Sequence, residues 1–87
     1  MAQESVIEFP CEFPIKMMGR DTPEFRDAMR MIVEKHAGDV DDSRVQTAVS
    51  RNGSFVSVTI TITATSQQQL DDIYREISAR DDVLMAL

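Results

Sequence analysis

Between Phe55 and Thr65 apolar and hydroxyl side chains alternate almost without a break. Val56, Val58, Ile60, Ile62 and Ala64 fall on one side of such a segment, and Ser57, Thr59, Thr61, Thr63 and Thr65 on the other. A period of two residues belongs to a strand with one face against a core and one face that tolerates water. The Asn52-Gly53 dipeptide just before it is a strong hairpin signal, and a two-residue type I′ turn there sets Arg51 opposite Ser54. Val49 then faces Val56, Thr47 faces Val58 and Val45 faces Ile60. Directly opposite residues share a face. Both valines therefore land on the apolar side that the longer strand defines by itself, and a slip by one residue would destroy the match.

The rest of the chain falls into place around this pair. Phe9-Pro10 and Phe13-Pro14 favour extended backbone, because proline restricts the residue before it. A first strand is expected from Phe13 to Met18, with Phe13, Ile15 and Met17 on one face and Gly19 at its end. Thr22-Pro23-Glu24 reads as a helix start, with a hydroxyl cap, proline at the first position and an acid in the first turn. Phe25, Ala28, Met29, Ile32, His36 and Ala37 follow at helical spacing, and Gly38 stops the helix. Ser66 and Gln69 form a capping box for a second helix, whose apolar stripe is Leu70, Ile73, Tyr74 and Ile77. Glu76 and Arg80 are spaced to pair on its exposed side. Val83 to Leu87 closes the chain as a strand. The order is β-α-β-β-α-β. With right-handed crossovers and an adjacent hairpin it predicts an α+β, ferredoxin-like sandwich: a four-stranded antiparallel sheet in the order 2-3-1-4, with two helices on one face.

With 87 residues the chain makes one domain, expected over residues 9–87 behind a loose segment of residues 1–8. Its net charge of −6 opposes binding to phosphate backbones and to anionic lipid. On the outward side of the long strand only Phe55 could stack a base, so nucleic acid is not an expected partner. The single cysteine, Cys11, excludes an internal disulfide and a Cys-rich metal cluster. Beside Glu12 it reads as an inert thiol. The N-terminus lacks the basic and apolar regions of a signal peptide, and no apolar run is long enough to span a bilayer, so a cytoplasmic protein is expected. His36 is the only histidine and has no nucleophile and orienting group in view, so no catalytic set is expected. Asp39, Asp41 and Asp42 suggest calcium, but an EF-hand loop begun at Asp39 would carry Arg44 and Ser50 where glycine and glutamate are needed. No metal or cofactor site is expected.

Two segments stand out as candidate sites. The loop between the first strand and the first helix brings together Gly19, which allows close backbone approach, and Arg20, whose guanidinium suits a carboxylate. Asp21 and Thr22 lead into the free N–H groups of the helix start. An ordinary glycine turn followed by a capped helix needs the same residues. The second candidate is a partner face formed by Ser57, Thr59, Thr61 and Thr63. Threonine is also simply a good strand former on a wet surface. The edge strands are open to pairing with another chain, since Val83-Leu84-Met85-Ala86-Leu87 carries no charged side chain.

Taken in order, Glu8-Phe9-Pro10, Phe13, Lys16-Met17-Met18-Gly19, Glu34-Lys35-His36-Ala37, Ser57 to Thr65 and Val83 to Leu87 resemble the YbeD-like family of small bacterial proteins of unknown function. The resemblance spans nearly the whole chain. It implies a ferredoxin-like fold similar to the regulatory ACT domains of amino-acid metabolism, with no established activity, cofactor or catalytic residue. ACT domains often open their first helix with Asp, a spacer, Pro and Gly. Asp21, Thr22 and Pro23 match, whereas Glu24 stands at the glycine position, where it fills space and repels a ligand carboxylate. The expectation is a non-enzymatic regulatory or protein-interaction module with a protein partner or a homodimeric state. The alternative is sensing of an amino-acid-like small molecule at the loop of Gly19 to Thr22, across a homodimer.

Overall fold

The computed structural model describes residues 8–87 and lays them out as strand β1 (Cys11–Arg20), helix α1 (Pro23–Ala37), strands β2 (Val45–Val49) and β3 (Phe55–Ala64), helix α2 (Gln67–Ser78) and strand β4 (Val83–Ala86). A short 3-10 helix, Asp42–Arg44, leads into β2. The loose segment expected at the N-terminus lies, apart from Glu8, outside the described residues. The sheet is antiparallel in the order β2-β3-β1-β4, with both helices on one face, so the ferredoxin-like arrangement is the one the sequence predicts.

The β2–β3 register is also as expected, with Val49 opposite Val56, Thr47 opposite Val58 and Val45 opposite Ile60. The turn that sets it is different. Asn52 keeps a negative φ and only Gly53 is left-handed, at 79°. The Gly53 N–H bonds the Ser50 carbonyl at 2.9 Å, and the Ser50 N–H bonds the Phe55 carbonyl at 2.8 Å. The loop is therefore Arg51 to Ser54, closed by Ser50 and Phe55. Asn52 explains this: its Oδ1 accepts from Ser54 N and from Ser50 Oγ, both at 3.1 Å, which ties the wider loop together. Adding one residue to each side of a turn leaves the pairing beyond it unchanged.

Strand β1 runs through Gly19 to Arg20 rather than ending at Met18, and pairs with β3 from Cys11 opposite Ala64 to Arg20 opposite Phe55. Ile15 and Met17 from β1, Val56, Val58 and Ile60 from β3, Phe25, Met29 and Val33 from α1, and Leu70, Ile73 and Ile77 from α2 are buried together. Val45 packs against this core, but Val49, though turned to the helix side, is 52% exposed because β2 is an edge strand.

Thr22 Oγ1 accepts from Phe25 N at 3.0 Å and Gly38, at φ 82°, ends α1, both as the sequence implies. Ser66 Oγ accepts from Gln69 N at 3.1 Å, but the Gln69 side chain reaches back to Thr65 N at 2.8 Å rather than to Ser66 N. Glu34 accepts from Val40 N at 2.9 Å and so anchors the loop leaving α1. That backbone N–H, reinforced by Arg30, holds the Glu34 carboxyl below its ordinary 4.5. Hydrogen bonds from His36 and then Lys35 lower Glu76 in the same sense. A carboxyl lowered on folding stabilises the fold above its unfolded pKa, and the benefit is lost as pH falls through the folded value. Stability should therefore drop as pH falls below 4.5. In urea titrations at successive pH values, the Glu34→Gln/Glu76→Gln variant should show a shallower acid slope than the parent.

Candidate functional site

The face of the sheet away from the helices carries the side chains that alternate with the core. Along β1 these are Glu12, Pro14, Lys16, Met18 and Arg20, opposite Thr63, Thr61, Thr59, Ser57 and Phe55 of β3. Gln46 and Ala48 extend the face over β2, and Met85, opposite Met18, over β4. Leu87 exchanges both backbone hydrogen bonds with Lys16, at 3.2 and 2.8 Å, and so joins the same face. Ser57, Thr59 and Thr61 are half-buried among their neighbours and Thr63 is exposed. Thr63 Oγ1 donates to Glu12 Oε2 at 2.8 Å, and Arg44 closes on the other oxygen of Glu12. These two bonds, with Thr63 the larger cause, lower the Glu12 pKa.

The face is graded along the strands. At one end stand Thr63 and the Glu12–Arg44 pair. At the other, Met18, Phe55 and Met85, the last 50% exposed, form an apolar cluster with Leu87, 64% exposed, beside it. The Arg20 guanidinium lies over the Phe55 ring, 5.8 Å from its centroid, where a cation is attracted by the ring face. The charged residues of the four strands are Glu12, Lys16 and Arg20 alone, all on this face. Lys16 and Arg20 make no ion pair among the described residues. The acids are concentrated on the helices, as Glu24, Asp27, Glu34, Asp71, Asp72 and Glu76, and in the loops. An acidic chain thus presents a sheet face with a basic and apolar end.

The other expected site is assembled differently from a loop. Gly19 and Arg20 belong to β1, leaving Asp21 and Thr22 as the link to α1. A Cβ on Gly19 would lie 2.4 Å from both the Asp82 carbonyl oxygen and Phe25 Cε1. The close approach that Gly19 permits is made by the protein's own ring and backbone. Asp21 grips Arg26 through two bonds, at 2.9 and 3.1 Å, and Thr22 caps the helix. The four residues are neighbours, but the polar groups of Asp21 and Thr22 are engaged within the fold and Arg20 faces Phe55.

A cleft of about 680 Å³ between α1 and α2 is not foreshadowed by the apolar stripes. Ala28, Met31, Ile32 and Ala79 line it, and Met31 is 68% exposed. The one sequence signal was Met31 itself, a large apolar residue off the buried stripe. Glu76 does not pair with Arg80 along the helix as its spacing suggests. It reaches across to Lys35 Nζ at 3.1 Å and His36 Nε2 at 2.9 Å, while Arg80 pairs with Asp82 at 2.8 Å. His36 is thereby a tie between helices, half-buried with a carboxylate partner. Cys11 lies opposite Ala64 and packs against the core. No helix among the described residues is long and apolar enough to cross a membrane.

Residues 4–87 match a family model described as a protein of unknown function, DUF493. The chain belongs to the DUF493 family. Among curated DUF493-like relatives, a UPF0250 protein of Paraburkholderia phytofirmans is 45% identical over 84 residues, which is 97% of this chain and 94% of that one. UPF0250 protein NE1487 of Nitrosomonas europaea is 44% identical over 87 residues, the whole of both chains. The solution structure of HP0495 from H. pylori superposes with a TM-score of 0.68 at 18% identity, covering 99% of this chain and 90% of that one. That likeness shows the fold. The expected resemblance to small bacterial proteins of unknown function is met, and DUF493 membership carries no activity with it.

Proposed function

We propose that this DUF493 protein is a non-enzymatic, ACT-like regulatory or protein-interaction module of the cytoplasm that docks a protein partner on its open sheet face. The observation that carries the reading is the composition of that face. Ser57, Thr59, Thr61 and Thr63 give a flat hydroxyl surface, Met18, Phe55 and Met85 give an apolar anchor, and Lys16 and Arg20 have no ion pair among the described residues. Interfaces draw affinity from a few apolar or aromatic anchors, and their charges select the partner. The partner suited to this face carries an apolar knob flanked by carboxylates. Thr61→Arg places a bulky charge at the centre of the face. It should abolish capture of the specific partner while moving stability by no more than about 0.5 kcal/mol, the usual range for a surface change. Unchanged, saturable capture by Thr61→Arg would remove the reading.

A second reading, sensing of an amino-acid-like molecule beside Gly19, Arg20, Asp21 and Thr22, is favoured by the Arg20 guanidinium alone. It requires a ligand-induced thermal shift that Arg20→Ala weakens, and a metabolite screen without any shift would remove its support.

A further inference from the structure

Among the described residues, strand β2 is the one edge of the sheet without a guard. Natural edges carry charge, proline or a bulge that prevents pairing with another chain. Val45-Gln46-Thr47-Ala48-Val49 has no charge and no proline, and it pairs with β3 without a register shift. Edge β4, by contrast, is irregular where Gly19 follows Met18. The Ser50 N–H bond to the Phe55 carbonyl puts Ser50 in a hydrogen-bonded pair, and alternation puts Ala48 and Gln46 in the others. The backbone groups of Val45, Thr47 and Val49 therefore point outward, away from β3. Val49 also exposes 52% of its surface on the side of the sheet that elsewhere forms the core.

We propose that β2 pairs antiparallel with β2 of a second copy of this chain, about a two-fold axis through Thr47. In that register Val45 stands opposite Val49 of the second copy, and Thr47 opposite Thr47. The outward groups of both strands meet as hydrogen-bonded pairs, giving about six backbone bonds. Two sheets of four strands become one continuous sheet. The exposed Val49 is covered by Val45 of the second copy, on the same face. The register also brings opposite charges together. Arg51, exposed and without an ion pair among the described residues, follows β2 at the end where the second copy's exposed Asp41 and Asp42 precede its own β2. Both symmetry-related ends gain this contact, which offsets the repulsion between two chains of net charge −6. A five-residue edge contact is small beside the roughly 1,200 Å² of a stable interface, so association is weak and depends on concentration.

The test is sedimentation of the full chain from about 10 μM to about 1 mM, a range that spans weak association. The mass of the parent should rise toward that of a dimer. Thr47→Pro deletes an outward N–H and leaves the β2–β3 bonds intact, and Thr47→Lys sets two like charges on the axis; both should remain monomeric. Should the proline variant fail to fold by circular dichroism, the lysine variant decides. Arg51→Glu should weaken association about 10-fold, the change that roughly 1.4 kcal/mol of lost charge pairing produces. Restoration in Arg51→Glu/Asp41→Arg would support the charge contact. Thr61→Arg, on the open face, should associate like the parent. A parent that stays monomeric throughout would overturn the proposal. So would a dimer that survives Thr47→Lys, or one that is lost in Thr61→Arg.

Discussion

Gly19→Ala is expected to destabilise the domain by about 3 kcal/mol, the upper end for adding a group to a full core. For a chain of this size that is a fall in Tm of about 12–24 °C. The cause is space and not backbone conformation, since Gly19 lies within β1 and its φ is not left-handed. A methyl there meets the Asp82 carbonyl and the Phe25 ring at 2.4 Å each. Neither yields easily. Phe25 is fully buried. Asp82 is held by Arg80 through two bonds, at 2.9 and 2.8 Å, in the turn entering β4. Scanning calorimetry or urea denaturation reads the effect. Were the space over Gly19 open for a ligand instead, the variant would keep the parent's stability.

Phe25→Ala is expected to cost about 3–5 kcal/mol, the range for emptying a buried aromatic site. That is a large part of the roughly 5–15 kcal/mol that holds a domain together. Phe25 is the first buried residue of α1 and its N–H is the one capped by Thr22, so the ring seats the start of the helix on the sheet beside Gly19. The two substitutions should therefore couple. In a Phe25→Ala background the added methyl of Gly19→Ala occupies vacated space, and its cost should fall by at least about 1 kcal/mol in a double-mutant cycle. Additive effects would mean that ring and glycine do not share this contact.

What the sequence reveals here depends on how locally each feature is determined. The alternation of β3 and the caps at Thr22 and Ser66 are properties of neighbouring residues, and they carry directly into the fold. Topology followed because few arrangements join these elements. The hairpin register survived a wrong turn type, since lengthening a loop equally on both sides preserves the pairing. Contacts between distant segments were not legible. Gly19 looked like room for a ligand because the Phe25 ring and the Asp82 carbonyl arrive from a helix and from a turn more than sixty residues away. Glu76 looked like a partner of Arg80 at helical spacing, but the packing of α2 on α1 gave it Lys35 and His36. Register alone puts Val49 on the core side, and only the position of β2 at the edge leaves it exposed. The hydroxyl stripe of β3 was visible from the start. Its setting, with Lys16 and Arg20 from β1 and Met85 from β4, required the sheet order.

Partner binding on the open sheet face can be read by photocrosslinking in living cells. A photoreactive amino acid is placed at Thr61 in one variant and at Met31, in the cleft between the helices, in another. A covalent adduct of one defined mass is expected from the Thr61 position and none from Met31. Adducts from Met31 alone, or none from Thr61, would mean that the partner does not bind this face.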